Sequence, residues 1–240
     1  MPEHISRKEL KQDKIHDAIE HGAEAVFSHT TILAAAILAA VIVAVGYGGW
    51  RFYTDRMTVQ ASALLDVAMK SYSARIGTVP DPSDPGELLF PTEQARSEDA
   101  AQKFSLVAQK YPNTNPGRLA MYYAALCYEN LERNNQAIEE LKKISSGKDQ
   151  ELVAMAQYQI GVIYARSGKT ADAVKVFRDL ADHSSVFVPR PLALFELAET
   201  LRQSDPQEAA KVYEQLKTEF PNSAVSDEVD RGLETLPPKS

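Results

Sequence analysis

The chain has 240 residues and a formal net charge of −7. This length suits one membrane segment and one modest folded domain better than two large domains. Acidic residues outnumber basic ones, 33 to 26, and no stretch is strongly basic, so we expect no nucleic-acid partner. The single cysteine, Cys127, excludes an internal disulfide.

The N-terminal tail, residues 1–29, is predicted to contain an amphipathic helix. Ser6 and Glu9 have the spacing of a capping box, which starts a helix. Ile15 and Ile19 then follow at helical spacing. Such a helix lies on lipid headgroups, contacts a partner or is simply solvated, and the residues leave these alternatives open.

The second predicted element is a transmembrane helix, residues 30–53. No Asp, Glu, Lys or Arg occurs from Ala25 to Trp50. About 20 apolar residues in a helix span roughly 30 Å, the thickness of a hydrocarbon core. Aromatic residues surround Arg51 at the C-terminal end, which is typical of a membrane–water interface. A cleaved signal peptide is disfavoured because the leader is too long and too acidic.

Small residues recur every four positions along this helix: Ala36, Ala40, Ala44 and Gly48. A stripe of small side chains lets a second helix approach closely within lipid. We therefore predict that this stripe packs against a membrane partner. The alternative is that Ala and Gly are simply frequent in such helices.

The charges near the predicted span do not fix its orientation. Lys11 and Lys14 precede the span, while Arg51, Arg56 and Lys70 follow it. The positive-inside rule therefore gives almost no bias.

Residues 54–92 are predicted to form a linking helix followed by a proline-rich loop. Four prolines lie within residues 77–92, which favours a surface loop over a docking motif. Residues 61–75 are expected to pair with residues 93–110 as an atypical first hairpin.

The segment 93–240 carries an internal period of 36 residues. The period appears in three columns of equivalent positions: Ala137, Ala173 and Ala209; Leu141, Phe177 and Tyr213; and Ile144, Leu180 and Leu216. A small residue followed by a large one four positions later is typical of stacked helix hairpins, because a single hairpin cannot bury its apolar face alone.

The predicted fold class is all-α, with an amphipathic helix, one transmembrane helix and an α-solenoid of helix hairpins that ends in a capping helix. The predicted pairs are residues 117–132 with 135–145, 150–167 with 170–182, and 190–203 with 206–219, followed by a cap over 222–236. Asn135-Gln136-Ala137 and the segment from Gly168 to Ala173 occupy the turn and the small-residue position. This pattern resembles the tetratricopeptide repeat family over roughly residues 95–221.

The whole chain has a second pattern: an acidic tail, one apolar span, the aromatic segment from Gly49 to Tyr53, and a helix with Ala61, Ala63 and Tyr72. This architecture is similar to that of the YfgM-type ancillary subunits of the SecYEG translocon. The resemblance implies a single-pass protein of the bacterial inner membrane with periplasmic repeats. It also implies partners among the translocon, periplasmic chaperones and unfolded client segments.

The first helices of the hairpins predict a partner-binding groove. Equivalent positions hold Leu119, Met155 and Leu192, then Tyr122, Tyr158 and Phe195, with Arg166 and Arg202 further along. We expect such a groove to prefer an apolar or aromatic segment, with the arginines adding stacking or acidic contacts. The alternative is that the aromatic rings belong to the core.

Catalytic motifs are missing from the sequence: there is no H-E-x-x-H, C-x-x-C, phosphate-binding loop or nucleophile elbow. Cys127 lies within a repeat helix and is expected to pack rather than react. His183 stands near a helix end, where the helix dipole favours it. We therefore expect no enzyme activity, no catalytic residue, no metal site and no cofactor.

Two functions follow from these expectations. The leading one is a membrane-anchored helical-repeat protein that binds protein partners and assists protein export or periplasmic chaperoning near the translocon. The alternative is a self-associating cell-envelope scaffold for division or outer-membrane assembly, which would be a homo-oligomer. An enzyme regulator on the cytoplasmic side is a third hypothesis, because charge does not fix the orientation.

Overall fold

The computed structural model describes residues 9–79, 83–84, 86–145 and 147–236, and in the first helix it describes side chains at 30, at 32 and from 34 onwards. The chain divides into two compact units between Arg56 and Met57. The backbone is helical from Glu9 onwards. Ser6 and the side chains of the predicted amphipathic helix lie outside the described residues, so the capping box and the amphipathic character stay predictions.

The described chain is helical apart from two very short strands. Its elements are α1 (Glu9–Tyr72), β1 (Arg75–Ile76), β2 (Leu89–Phe90), α2 (Glu93–Lys110), α3 (Asn115–Asn130), α4 (Asn134–Ile144), α5 (Gln150–Arg166), α6 (Thr170–Asp182), α7 (Arg190–Leu201), α8 (Pro206–Glu219) and α9 (Ser226–Glu234). The predicted all-α fold class is confirmed, and α3 to α8 coincide with the three predicted hairpins.

The first unit contains the apolar part of α1. A stretch within Ala34–Tyr72 is long and apolar enough, by length and composition, to cross a membrane. Its apolar side chains are exposed, Val43 and Val45 among them. At its C-terminal end the Arg56 guanidinium lies 4.6 Å from the centre of the Phe52 ring.

The second unit begins with the C-terminal part of α1, which packs against α2. Ala61, Leu65 and Ala68 are buried in one core cluster together with residues of α2 and α3. The rings of Tyr72 and Phe104 meet edge to face, with centroids 6.0 Å apart. The predicted pairing of residues 61–75 with α2 is therefore confirmed.

The connection between α1 and α2 differs from the expected plain loop. Strands β1 and β2 pair in parallel, with Arg75 opposite Leu89. Arg75 Nε also donates to Glu87 Oε1 at 2.7 Å, so the proline-rich segment is closed at its base. Proline disfavours helix within the segment, and the backbone groups at its two ends find partners in each other.

The hairpins stack on small side chains. Ala137, Ala173 and Ala209 are each 0% exposed, which confirms the predicted register. Four positions later, Leu141, Phe177 and Tyr213 are also fully buried. In helical hairpins a small residue lets two helices approach, and the large residue on the next turn fills the space beside it.

Local backbone chemistry sets the ends of the helices. Thr114 and Asp149 cap α3 and α5 by accepting hydrogen bonds from backbone N–H groups three residues later. The turns into α4 and α6 instead contain a residue in the left-handed region, Glu132 at φ 58° and Gly168 at φ 71°. These two positions are 36 residues apart, so the turn conformation repeats with the sequence period.

The capping helix α9 begins at Ser226, later than the predicted start at residue 222, because residues 220–225 form turns. Val229 is buried against the second core cluster. A Cβ atom at Gly232 would lie 2.7 Å from the Tyr213 ring, so α9 approaches α8 closely at this glycine.

Candidate protein-binding groove

The first helices of the three hairpins, α3, α5 and α7, are neighbours in the stack. Each contributes one aromatic side chain at an equivalent position: Tyr122, Tyr158 and Phe195. All three are half-buried. A side chain at such a position packs on one side and remains accessible on the other.

Tyr158 connects two repeats. Its ring meets the buried Phe177 ring edge to face at 6.1 Å, and its hydroxyl donates to Glu196 Oε1 on α7 at 2.7 Å. The pKa of Tyr158 is raised above its ordinary value. Burial is the main cause, and the hydrogen bond to Glu196 is the second. The phenol is therefore a fixed donor, and α5 is joined to α7.

Tyr122 and Phe195 are supported in similar ways. The Tyr122 ring stands edge to face with Tyr123 at 5.8 Å, and burial raises the pKa of Tyr122. The Phe195 ring lies 6.5 Å from Tyr213 on α8. Each of the three aromatic residues therefore has another ring within 6.5 Å.

Arg166 is already engaged with an acidic side chain. Its Nη1 atom donates to Glu129 Oε1 at 2.6 Å, and Gln159 donates to the other oxygen of the same carboxylate. The Arg166 side chain nevertheless remains 71% exposed. This cluster joins α5 to α3, as Tyr158 and Glu196 join α5 to α7.

Arg202 is engaged as well. It donates to Glu199 at 2.9 Å and to the Thr235 hydroxyl at 2.8 Å. The hydrogen bond to Glu199 raises the pKa of the Arg202 guanidinium. Tyr213 also donates to Glu199, so this carboxylate links α7 and α8. Thr235 directly follows α9, so Arg202 links the end of α7 to the end of α9.

The structure brings the two arginines to one cavity of about 600 Å³. Its lining also includes two acidic residues of α7 and several hydroxyl groups: Glu196, Glu199, Thr170, Thr200, Ser204 and Thr235. A second cavity, of about 290 Å³, has Phe195 and Arg202 in its lining together with Glu199, Glu228, Arg231 and Thr235. One aromatic residue and both arginines of the predicted groove therefore border accessible cavities.

The remaining predicted residues lie beside the core. Leu119 and Tyr122 pack against the first core cluster, and Met155, Tyr158 and Phe195 pack against the second. Leu192 is half-buried on α7.

The acidic partners were not predicted from the sequence. Glu199 precedes Arg202 by three positions, so this pair could have been recognised from helical spacing. Glu129 and Glu196 lie 37 and 38 residues from the side chains they bind, on other helices. Only knowledge of how the repeats stack would have identified them.

Cys127 is fully buried, and burial raises the pKa of its thiol to about 12. It is therefore an unreactive packing residue, as predicted. Within the described residues, no group of three His, Cys, Asp or Glu side chains is placed to hold a metal ion.

Comparisons with known proteins give the family. A model described as a tetratricopeptide repeat-like domain matches residues 28–189, and one described as a tetratricopeptide repeat matches residues 158–224. Comparison with curated proteins and with solved structures gives no match, so the similarity to YfgM-type subunits stays a prediction. The first model covers more than half of the chain, and its range includes the first two observed hairpins, α3–α4 and α5–α6. The chain belongs to the tetratricopeptide repeat-like family, whose repeats serve protein–protein interaction.

Proposed function

We propose that this protein is anchored in a membrane by α1 and holds a protein partner on the faces of α3, α5 and α7, assisting protein export or periplasmic chaperoning near the translocon. The observation that carries the proposal is the series of half-buried aromatic side chains on three neighbouring helices: Tyr122, Tyr158 and Phe195. Partly exposed aromatic residues supply large contact areas at low entropic cost, and they dominate many interfaces.

The charges beside this series favour an apolar or aromatic partner segment. Arg166 and Arg202 already bind the carboxylates of Glu129 and Glu199. An acidic ligand would have to compete with these carboxylates for the same guanidinium groups. We therefore expect partner affinity to vary little with salt, because pairing between opposite charges is what salt screens most.

The proposed location is the bacterial inner membrane, with a single span and periplasmic repeats. The apolar stretch of α1 supports an anchor, and the similarity to YfgM-type subunits supports the compartment. A reporter fused after Ser240 tests the compartment directly. Periplasmic reporter activity is expected, and cytoplasmic activity would favour the regulator hypothesis instead.

Photo-crosslinking tests the proposed groove in the full chain. A photoreactive residue at position 158 should form adducts with translocon subunits, periplasmic chaperones or exported chains. Position 164 is the matched control, because Tyr164 is also a half-buried tyrosine of α5. Identical adducts from both positions would contradict the proposal that the aromatic series is the contact surface.

The self-associating scaffold is the second candidate, and the small-residue stripe supports it. Ala36, Ala40 and Ala44 are exposed along α1, and a Cβ atom at Gly48 would meet no atom within 4 Å. Crosslinking from this stripe separates the two functions. Translocon subunits as neighbours favour export, whereas further copies of this chain favour a scaffold.

A further inference from the structure

We propose that Glu196 on α7 binds a basic side chain, arginine or lysine, of the partner segment that the aromatic series holds. This inference rests on the proposed function and adds one charged contact to the chemistry of that partner. Glu196 belongs to the lining of the cavity of about 600 Å³, and it directly follows Phe195 of the aromatic series. A cavity of this size is in the range of ligand sites, where a few polar groups fix the orientation of the ligand.

Two carboxylates of α7 border this cavity, and they differ in how far the described part of the chain satisfies them. Glu199 accepts from Arg202 through both oxygens, at 3.3 and 2.9 Å, and it also accepts from Tyr213. Glu196 accepts at Oε1 from the uncharged Tyr158 hydroxyl, and it forms no ion pair with any described residue. Its second oxygen therefore keeps acceptor capacity for a further donor.

The two arginines of the lining do not neutralise Glu196, because both are engaged with other carboxylates. Arg166 binds Glu129 at 2.6 Å, and Arg202 binds Glu199 at 2.9 Å. With these pairs formed, Glu196 leaves a negative charge at the cavity without a cation from the described residues. Charge complementarity therefore identifies the occupant as a basic side chain, whereas an acidic side chain would be repelled.

The hydrogen bond from Tyr158 places the Glu196 carboxylate beside the aromatic series. The phenol and carboxylate oxygens are 2.7 Å apart, so a segment that packs an apolar side chain on the Tyr158 ring brings its neighbouring side chains close to Glu196. An arginine there can also stack on the ring, because a guanidinium is attracted to an aromatic face. Glu196 is half-buried, so salt screens such a pair less than an exposed one, in agreement with an affinity that varies little with salt.

Two probe peptides test the contact in the full chain, solubilised in detergent. Both consist of leucine, phenylalanine and serine, and they differ at one central position, which is arginine in one peptide and its uncharged isostere citrulline in the other. Fluorescence anisotropy measures the affinities of the unaltered chain, Glu196→Gln and Glu139→Gln. Glutamine at position 196 keeps an oxygen acceptor for Tyr158. Glu139 is exposed on α4 and does not line the cavity, so its variant is the control for net charge.

The unaltered chain and Glu139→Gln should bind the arginine peptide about tenfold more tightly than the citrulline peptide. Glu196→Gln should bind both peptides as weakly as the unaltered chain binds the citrulline peptide. Equal affinities of the unaltered chain for the two peptides would overturn this inference and leave the groove itself supported. A preference for arginine that Glu196→Gln retains would overturn it as well. Failure of both peptides to bind would contradict the proposed function, and this inference with it.

Discussion

The ring of Phe177 occupies the space that a side chain at Gly161 would need. A Cβ atom at Gly161 would lie 2.7 Å from the ring, and Phe177 itself is fully buried. The preceding repeat has Ala125 and the smaller Leu141 at the equivalent positions, and both are also fully buried. The size of the residue on the first helix therefore compensates for the size of the residue on the second.

A double-mutant cycle tests this compensation. Gly161→Ala overpacks the contact by about 1–3 kcal/mol, and the gain of about 1 kcal/mol in helix propensity offsets part of that. Phe177→Leu alone leaves a cavity. In the double variant the new methyl group enters this cavity, so the two losses should be less than additive by at least about 0.5 kcal/mol. Urea unfolding measures all three variants, and strict additivity would contradict the proposed fit.

Substitutions at the two left-handed turn residues should change stability in opposite directions. Glu132 adopts φ 58° and Gly168 adopts φ 71°. A residue with a Cβ atom pays about 1–2 kcal/mol in this region. Gly168→Ala should therefore lower the free energy of unfolding, while Glu132→Gly should raise it by up to about 1 kcal/mol after the entropic cost of glycine. Shifts of the same sign in thermal unfolding would show that the turn conformation is not the cause.

Among the secondary-structure elements, the repeat period identified the hairpins because each helix pair repeats the same small and large positions. Position 173 in α6, for example, could be assigned to the core from Ala137 and Ala209 alone. The β1–β2 pairing could not, since it has no periodic pattern and depends on a backbone contact across a proline-rich segment. The late start of α9 was not predicted either, because the turn at residues 220–225 follows the last repeat and has no equivalent positions from which its length could be read.

The apolar part of α1 carries a stripe of small residues that can be tested by substitution. If Ala36, Ala40, Ala44 and Gly48 form a packing surface, Gly48→Leu and Ala40→Leu should weaken co-purification of the membrane partner, because bulky side chains prevent close approach. Membrane insertion should be unaffected, since leucine is favourable in lipid.

Ile42→Leu is the matched control, because position 42 lies on the other side of a helix with 3.6 residues per turn. Equally strong partner recovery in all variants would contradict the packing surface. The small residues would then only reflect how frequent Ala and Gly are in membrane helices.

In the repeat stack as a whole, hydrogen bonds join one hairpin to the next. Glu129 accepts from Arg166, and Glu196 accepts from Tyr158, so each first helix is bonded to the next one. These bonds fix the spacing of the aromatic side chains before any partner arrives. A preformed surface loses less entropy on binding than one that must be assembled.

The sequence alone could predict which positions hold the groove residues, but not whether their side chains are exposed or already paired. Equivalent positions follow from the period, which is why Tyr122, Tyr158 and Phe195 were selected together. Whether a ring is buried or exposed depends on the tilt of neighbouring helices, which the period does not determine. The pairing of Arg166 depends on the same geometry. Because Glu129 already binds the guanidinium, the expected acidic contacts beside the apolar or aromatic segment are disfavoured.

The most direct test of the central claim compares the effect of one substitution on binding and on stability. Tyr158→Ala and its control Tyr164→Ala are made in the full chain, and each is measured for partner affinity and for thermal unfolding. If the aromatic series binds the partner, Tyr158→Ala should weaken affinity about tenfold or more, as loss of a hot-spot residue does. Tyr164→Ala should lower stability to a similar extent and leave affinity nearly unchanged. Equal affinities for the two variants would contradict the account and make the aromatic series part of the core.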